Sequence, residues 1–309
     1  MKSKKIKGVV CGIVAAITYG LNPLGALNLY AQNINPDSVL FYRYGLSVII
    51  LSGIMLLQKQ TFAITRKELG ITVTLGVIFA ISSIALFGSF KYMDAGIAST
   101  ILFIYPVIVA IIMATFFKEK INIITVFSIL LSLMGIGFLY QDDSGGTLST
   151  IGVLLVILSS LAYAVYIVIV NKSSINLSPV KMTFYVMVFG TITIIIHSLF
   201  DTTNHLQILT TPTMWGWAIM LAILPTVVSL VLMVIAVKEI GSTPTAIMGA
   251  LEPVTAVVIS VTIFNGIFTM RLAWGILMIL LGVTLIIIGK PLLHKLHQVV
   301  HLRIRNVHK

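Results

Sequence analysis

Arg43 and Glu252 are charged side chains deep within long apolar stretches. Removing an arginine from water costs at least ~2.5 kcal/mol on membrane-insertion scales, so Arg43 must face a protein interior and find partners there. Its planar guanidinium suits bidentate pairing, which makes it a candidate anchor for a substrate carboxylate or other anion. The other reading is an arginine that snorkels or binds helix-end carbonyls. Glu252 precedes Pro253, and a proline frees the carbonyl one turn back, so polar groups collect at that depth. A desolvated carboxyl there is a candidate proton carrier; alternatively it is a strut that pairs with Arg43 or caps broken backbone. Tyr19, Asn22, Tyr105, Tyr163 and Tyr166, together with Ser82 and Ser83, are the further polar side chains that suit a site for a small polar or zwitterionic molecule.

Other chemistries lack their residues. The sequence has no HExxH, no Cys–His pair and no helix with two acids at catalytic spacing, so the alternative of a membrane-embedded enzyme has no constellation to use. A channel, the other alternative, would need a repeated charge ring or a carbonyl-rich filter. No Walker A segment is present for direct use of ATP. His197 falls at a helix end with no evident partner. His294, His297 and His301 recur at helical spacing in the C-terminal tail without an accompanying acid or cysteine, and the interleaved Leu, Val and Ile suggest a basic amphipathic segment. Cys11 is the single cysteine, so an intramolecular disulfide is excluded. Neither a metal nor a cofactor is expected.

The elements that must position these residues follow from composition. Of 309 residues, 58% are hydrophobic and 9% charged, too few charges to cover a soluble domain. The bilayer is the solvent, and at ~20 residues per crossing the length allows about ten helices. Apolar windows between polar breaks run over 8–28, 37–57, 69–90, 96–117, 122–140, 150–170, 179–199, 214–237, 243–264 and 271–289. Strands of a barrel would alternate with polar residues; these stretches do not. Turn chemistry at Asn35-Pro36-Asp37, Leu177-Ser178-Pro179, Thr210-Thr211-Pro212 and the run 142–146 belongs at the water boundary. The formal charge of +11 raises nucleic acid as a partner, but the placement of the basic residues opposes it. With both termini cytoplasmic, all but Lys91, Arg271 and the intramembrane Arg43 fall on the cytoplasmic side, as the positive-inside rule requires. The lysines before the first apolar run begin an uncleaved first helix, since the run is too long for a signal peptide.

A shift of 147 residues lays KYMDAGIASTILFIYPV (91–107) on KEIGSTPTAIMGALEPV (238–254). It pairs Lys91 with Lys238, Tyr105 with Glu252, Pro106 with Pro253, Phe117 with Phe264 and Gly135 with Gly282. A slightly smaller offset matches Gly8 with Gly152 and Tyr19 with Tyr163. Each half therefore holds five helices, and an odd number inverts the second half. Pro23, Pro106, Pro225 and Pro253 interrupt apolar runs, and the matched pair Pro106 and Pro253 argues for hinges at the repeat interface. Lys91 and Asp94, with Lys238 and Glu239, flank the two matched turns as interfacial anchors or gate charges.

The segment FKYMDAGIASTILFIYPVIVAIIMATFFKEK with LLSLMGIGFLY, and its second copy AVKEIGSTPTAIMGALEPVTAVVISVTIFNG with MILLGVTLIIIG, resemble the EamA-type repeat of the drug/metabolite transporter superfamily. The resemblance covers nearly all of 8–289. It implies an all-α polytopic membrane protein of ten transmembrane helices in two inverted five-helix repeats, 1–145 and 146–290, followed by a basic cytoplasmic tail at 291–309. It further implies secondary transport of a small metabolite, often export of an amino acid or related compound, from a bacterial inner membrane. An arginine in the second helix matches a recurring pattern of the family. Two positions depart from it: Gly266 stands where the first copy has Glu119, and Tyr19-Gly20 replaces the usual Trp-Gly. The expected partners are the substrate, the bilayer and a coupling proton, with the chain a monomer or homodimer.

Overall fold

Short polar side chains start the helices at the breaks the sequence marks. Asn35 Oδ1 accepts from the Ser38 N–H at 2.8 Å, with Pro36 opening the first turn. Thr65 and Glu68 form a capping box, the Thr65 N–H donating to Glu68 Oε2 (2.8 Å) and the Glu68 N–H to Thr65 Oγ1 (3.3 Å). Ser178 and Thr211 serve the same role for the helices that follow them. Each such cap contributes about 1 kcal/mol by satisfying an orphan donor.

The computed structural model describes residues 2–118, 123–140, 148–173, 177–200, 205–240, 245, 248–249, 251–282 and 284–285. Its helices are α1 (Lys2–Tyr19), α2 (Asn22–Tyr30), α3 (Pro36–Leu57), α4 (Arg66–Ser89), α5 (Ala95–Leu102), α6 (Tyr105–Phe117), α7 (Ile123–Tyr140), α8 (Thr150–Lys172), α9 (Pro179–Phe200), α10 (Pro212–Ala222), α11 (Ser229–Ile240), α12 (Leu251–Ile263) and α13 (Met270–Gly282). A π-helical segment, Ile223–Val228, joins α10 to α11. No strand occurs among the described residues.

Seven helical stretches among the described residues are long and apolar enough to cross a membrane. They are Ile6–Tyr30, Pro36–Leu57, Arg66–Ser89, Ala95–Phe117, Thr150–Val170, Pro179–Phe200 and Pro212–Ala236, and they coincide with seven of the ten expected spans. The other three expected spans hold α7, α12 and α13. The chain is a multi-pass membrane protein, and large apolar side chains such as Ile49, Leu57 and Phe116 stay exposed on it. The tail with its three histidines, and the turn at 142–146, lie outside the described residues.

The packing partners recur in pairs. α1 packs on α11 and α4 on α8; α4 packs on α9 and α3 on α10; α6 packs on α8, and α1 with α2 on α12; α3 meets α9 and α5 meets α12. These pairings map onto themselves when the first five expected spans are exchanged with the last five. Polar ties join the two sequence halves at the start of α3. The Gln207 N–H donates to Ser38 Oγ (2.8 Å), the Asn35 N–H to Gln207 Oε1 (2.6 Å), and His197 Nδ1 lies 2.8 Å from Asp37 Oδ2. His197 thus has the partner that its surroundings in sequence do not reveal, because Asp37 is 160 residues away.

Candidate functional site

Three helix breaks surround one cleft. The chain leaves α1 at Tyr19 and re-enters a helix at Asn22, with Pro23 in the first turn of α2. It leaves α5 at Leu102 and resumes at Tyr105, with Pro106 in the first turn of α6. α12 begins at Leu251, just before Pro253. Proline in an opening turn sacrifices a donor that would have no partner there, so each break is local and sharp. Tyr19, Gly20, Asn22, Leu86, Ser99, Leu102 and Glu252 line a narrow cleft of about 10 Å³, room for about one water. Gly20 is required by the close approach: a Cβ there would lie 2.6 Å from Thr255 Cβ and 2.7 Å from the Glu252 carbonyl oxygen.

Arg43 comes to this region from α3 and is completely buried. Its Nε donates to Thr226 Oγ1 at 2.7 Å, and its guanidinium carbon lies 5.3 Å from the Phe87 ring centre, 5.6 Å from Tyr44 and 6.0 Å from Tyr19. Rings at such distances stabilise a desolvated cation by ~0.5 to 2 kcal/mol. Arg43 Nη2 has no hydrogen-bond partner, nor does Asn22 Oδ1 in the cleft. Leaving each buried group unsatisfied costs about 1–3 kcal/mol. Among the described residues no ion pair joins Arg43 to Glu252. Tyr19 bridges their surroundings, since it lines the cleft with Glu252 and presents its ring to Arg43.

The four tyrosines singled out in the sequence form one cluster behind the cleft. Tyr163 stacks on Tyr19 (6.4 Å between ring centres) and Tyr166 (5.9 Å), and meets Tyr105 edge-on at 4.7 Å. Of these, Tyr19 alone lines the cleft. Ser82 and Ser83 are engaged elsewhere. Ser82 and Ser159 clasp α4 to α8, each hydroxyl reaching the other's carbonyl, and Ser83 Oγ lies 2.5 Å from the Tyr44 hydroxyl. Asp94 caps α5, its Oδ1 accepting from the Gly96 and Ile97 N–H groups, and its other oxygen accepts from Ser260 on α12. The acid read as an interfacial anchor therefore also ties α5 to α12. Lys7 pairs with Glu239 at 3.8 Å.

Sequence reasoning missed Thr226, Ser99, Tyr44, Phe79 and Phe87. Thr226 had a signal, a hydroxyl directly after a proline within an apolar run. Gly266, one of the departures from the family pattern, also gains a reason. It follows Asn265 at φ 55°, closes the end of α12 onto the Ser260 carbonyl, and would place a Cβ 2.5 Å from Ser260 Oγ.

The model of the EamA-like transporter family matches this sequence twice, over residues 6–141 and 150–288. The uncharacterized transporter YyaM of Bacillus subtilis (strain 168) is 24% identical over 256 residues, covering 80% of this chain and 83% of its own. An uncharacterized transporter of Archaeoglobus fulgidus is 26% identical over 273 residues, covering 87% and 94%. One solved crystal structure aligns with a TM-score of 0.65 at 15% identity, covering 90% of this chain and 95% of that one, a likeness of fold.

Proposed function

The chain belongs to the EamA-like transporter family, and from that premise we propose that it is a secondary active transporter exporting a small polar or zwitterionic metabolite, such as an amino acid, across the bacterial inner membrane. The two halves, 1–145 and 146–290, act as inverted repeats with both termini cytoplasmic, and rocking between mirror-related states exposes the site to each side in turn. Arg43 pairs with the anionic group of the substrate. Asn22 Oδ1 accepts from its amino group, Tyr19 shapes the wall between them, and Tyr105, Tyr163 and Tyr166 support that wall. Glu252 carries the coupling proton, and Pro106 and Pro253 are the hinges.

The observation that carries this reading is an orphaned buried acceptor on Asn22 beside the Glu252 carboxyl in one cleft, with the orphaned buried donor of Arg43 next to the Tyr19 ring that lines it. A zwitterion supplies the complement of each. The paired packing of helices supports the inverted duplication, and three breaks meeting at one cleft fit a site made from discontinuous helices. The deciding experiment is uptake of a pooled labelled metabolite set into proteoliposomes under an imposed pH gradient, with wild type beside Glu252→Gln. Gradient-driven accumulation that Glu252→Gln loses supports the whole reading. Accumulation retained by the variant removes the proton from Glu252, and no transport of any compound refutes the substrate class.

A further inference from the structure

We infer that Thr226 is the positioning residue that orients the Arg43 guanidinium for substrate, through the π-turn built around Pro225; this rests on the reading of Arg43 as the anchor of the substrate's anionic group. Pro225 has no N–H, so the Leu221 carbonyl loses the donor that an α-helix would supply. The chain widens into the π-helical segment Ile223–Val228, and the Thr226 hydroxyl donates to that carbonyl at 2.9 Å. A hydroxyl has one proton. With its proton committed to Leu221, Thr226 Oγ1 meets Arg43 Nε only as an acceptor, at 2.7 Å. The result is a one-way chain from Arg43 Nε–H through Thr226 to the Leu221 carbonyl, each bond polarising the next.

The same junction is braced once more. Ser47 Oγ lies 2.6 Å from the Arg43 carbonyl and 3.2 Å from the Ala222 carbonyl, tying α3 to α10 one turn along. Because the guanidinium is planar, fixing Nε fixes the directions of both Nη groups, and Nη2 is the one left buried without a partner. π-turns inside helices recur at functional sites, and here the turn supplies the acceptor that aims an otherwise unmet donor. The 147-residue offset of the duplication places Thr226 on Phe79, whose ring packs on Tyr166 at 5.1 Å and Tyr44 at 5.9 Å. One half thus supplies an apolar platform where the other supplies the arginine's acceptor.

The test compares wild type, Thr226→Val, Thr226→Ser and Arg43→Gln in two measurements. In detergent-purified protein carrying isotope-labelled arginine, NMR of the Nε–H groups should show one slowly exchanging signal that Arg43→Gln removes, Thr226→Val exposes to exchange and Thr226→Ser keeps. In proteoliposomes given a labelled amino-acid mixture, Thr226→Val should raise KM about tenfold for the component most taken up while leaving the maximal rate nearly unchanged, the mark of lost uniform binding. Thr226→Ser should restore it. A protected signal indifferent to Thr226→Val, or a KM unchanged in that variant, overturns the positioning role. Wild-type transport by Arg43→Gln overturns the anchor reading instead, while the NMR measurement still judges the bond to Thr226.

Discussion

The break that opens α6 and the break that opens α12 occupy equivalent positions in the two halves, yet they place different chemistry beside the cleft. Pro106 and Pro253 interrupt the backbone alike, but the residue before the first is Tyr105 and the residue before the second is Glu252. Tyr105 is buried against Phe103 and Tyr163, whereas Glu252 lines the cleft. Duplication repeats a backbone device because main-chain geometry depends on the proline. The side chain next to it is free to diverge, so a symmetric scaffold acquires one ionisable group in place of two.

The largest expected effect tests that asymmetry directly. Glu252→Gln should abolish gradient-driven accumulation and flatten the pH dependence of transport. Tyr105→Phe keeps the ring contacts with Phe103 and Tyr163 and should lower the rate by about threefold at most. Equal losses in the two variants, measured in the same proteoliposomes, would end the distinction between the breaks.

The next effect concerns space around Glu252. Gly20→Ala should destabilise the protein by about 1–3 kcal/mol, because the added methyl presses on Thr255 and the Glu252 carbonyl. A melting temperature equal to wild type would show that the α1–α2 break is not held against α12. The prolines sharpen the comparison further. As hinge positions, Pro253→Ala should slow transport about fivefold and Pro106→Ala about twofold. The larger loss falls where the break carries the carboxyl; the reverse order in initial rates would make the first break the working hinge. The smallest effect is a reference far from both breaks. Thr65→Ala removes the capping box of α4 and should cost about 1 kcal/mol in thermal unfolding without altering KM.

Much of the molecule is legible from its sequence because the bilayer imposes strong local rules. Apolar length, caps such as Asn35 and Thr65, and the proline breaks are properties of neighbouring residues, and the structure places helices where they say. The duplication is equally legible, since it is a repetition along the chain. Arg43 and Glu252 are conspicuous for the same reason, as charges where charges are costly.

What lies between distant residues is not written locally. Seven of the ten apolar windows hold helices long enough to span among the described residues, but which helix packs on which is a matter of tertiary structure. Ser82 and Ser83 read like cleft residues, but the partners that engage them, Ser159 and Tyr44, sit on other helices. His197 finds Asp37, and Asp94 finds Ser260, across 160 and 166 residues. The sequence alone therefore determined the membrane class, the repeated helical scaffold and the two costly charges, since burial in lipid and helix geometry act through the chain's own neighbours. Tertiary structure alone decided that Arg43 meets Thr226 and aromatic rings while Glu252 lines the cleft. Hydrogen-bond and ring partners are chosen by distance in space, which a linear pattern does not encode.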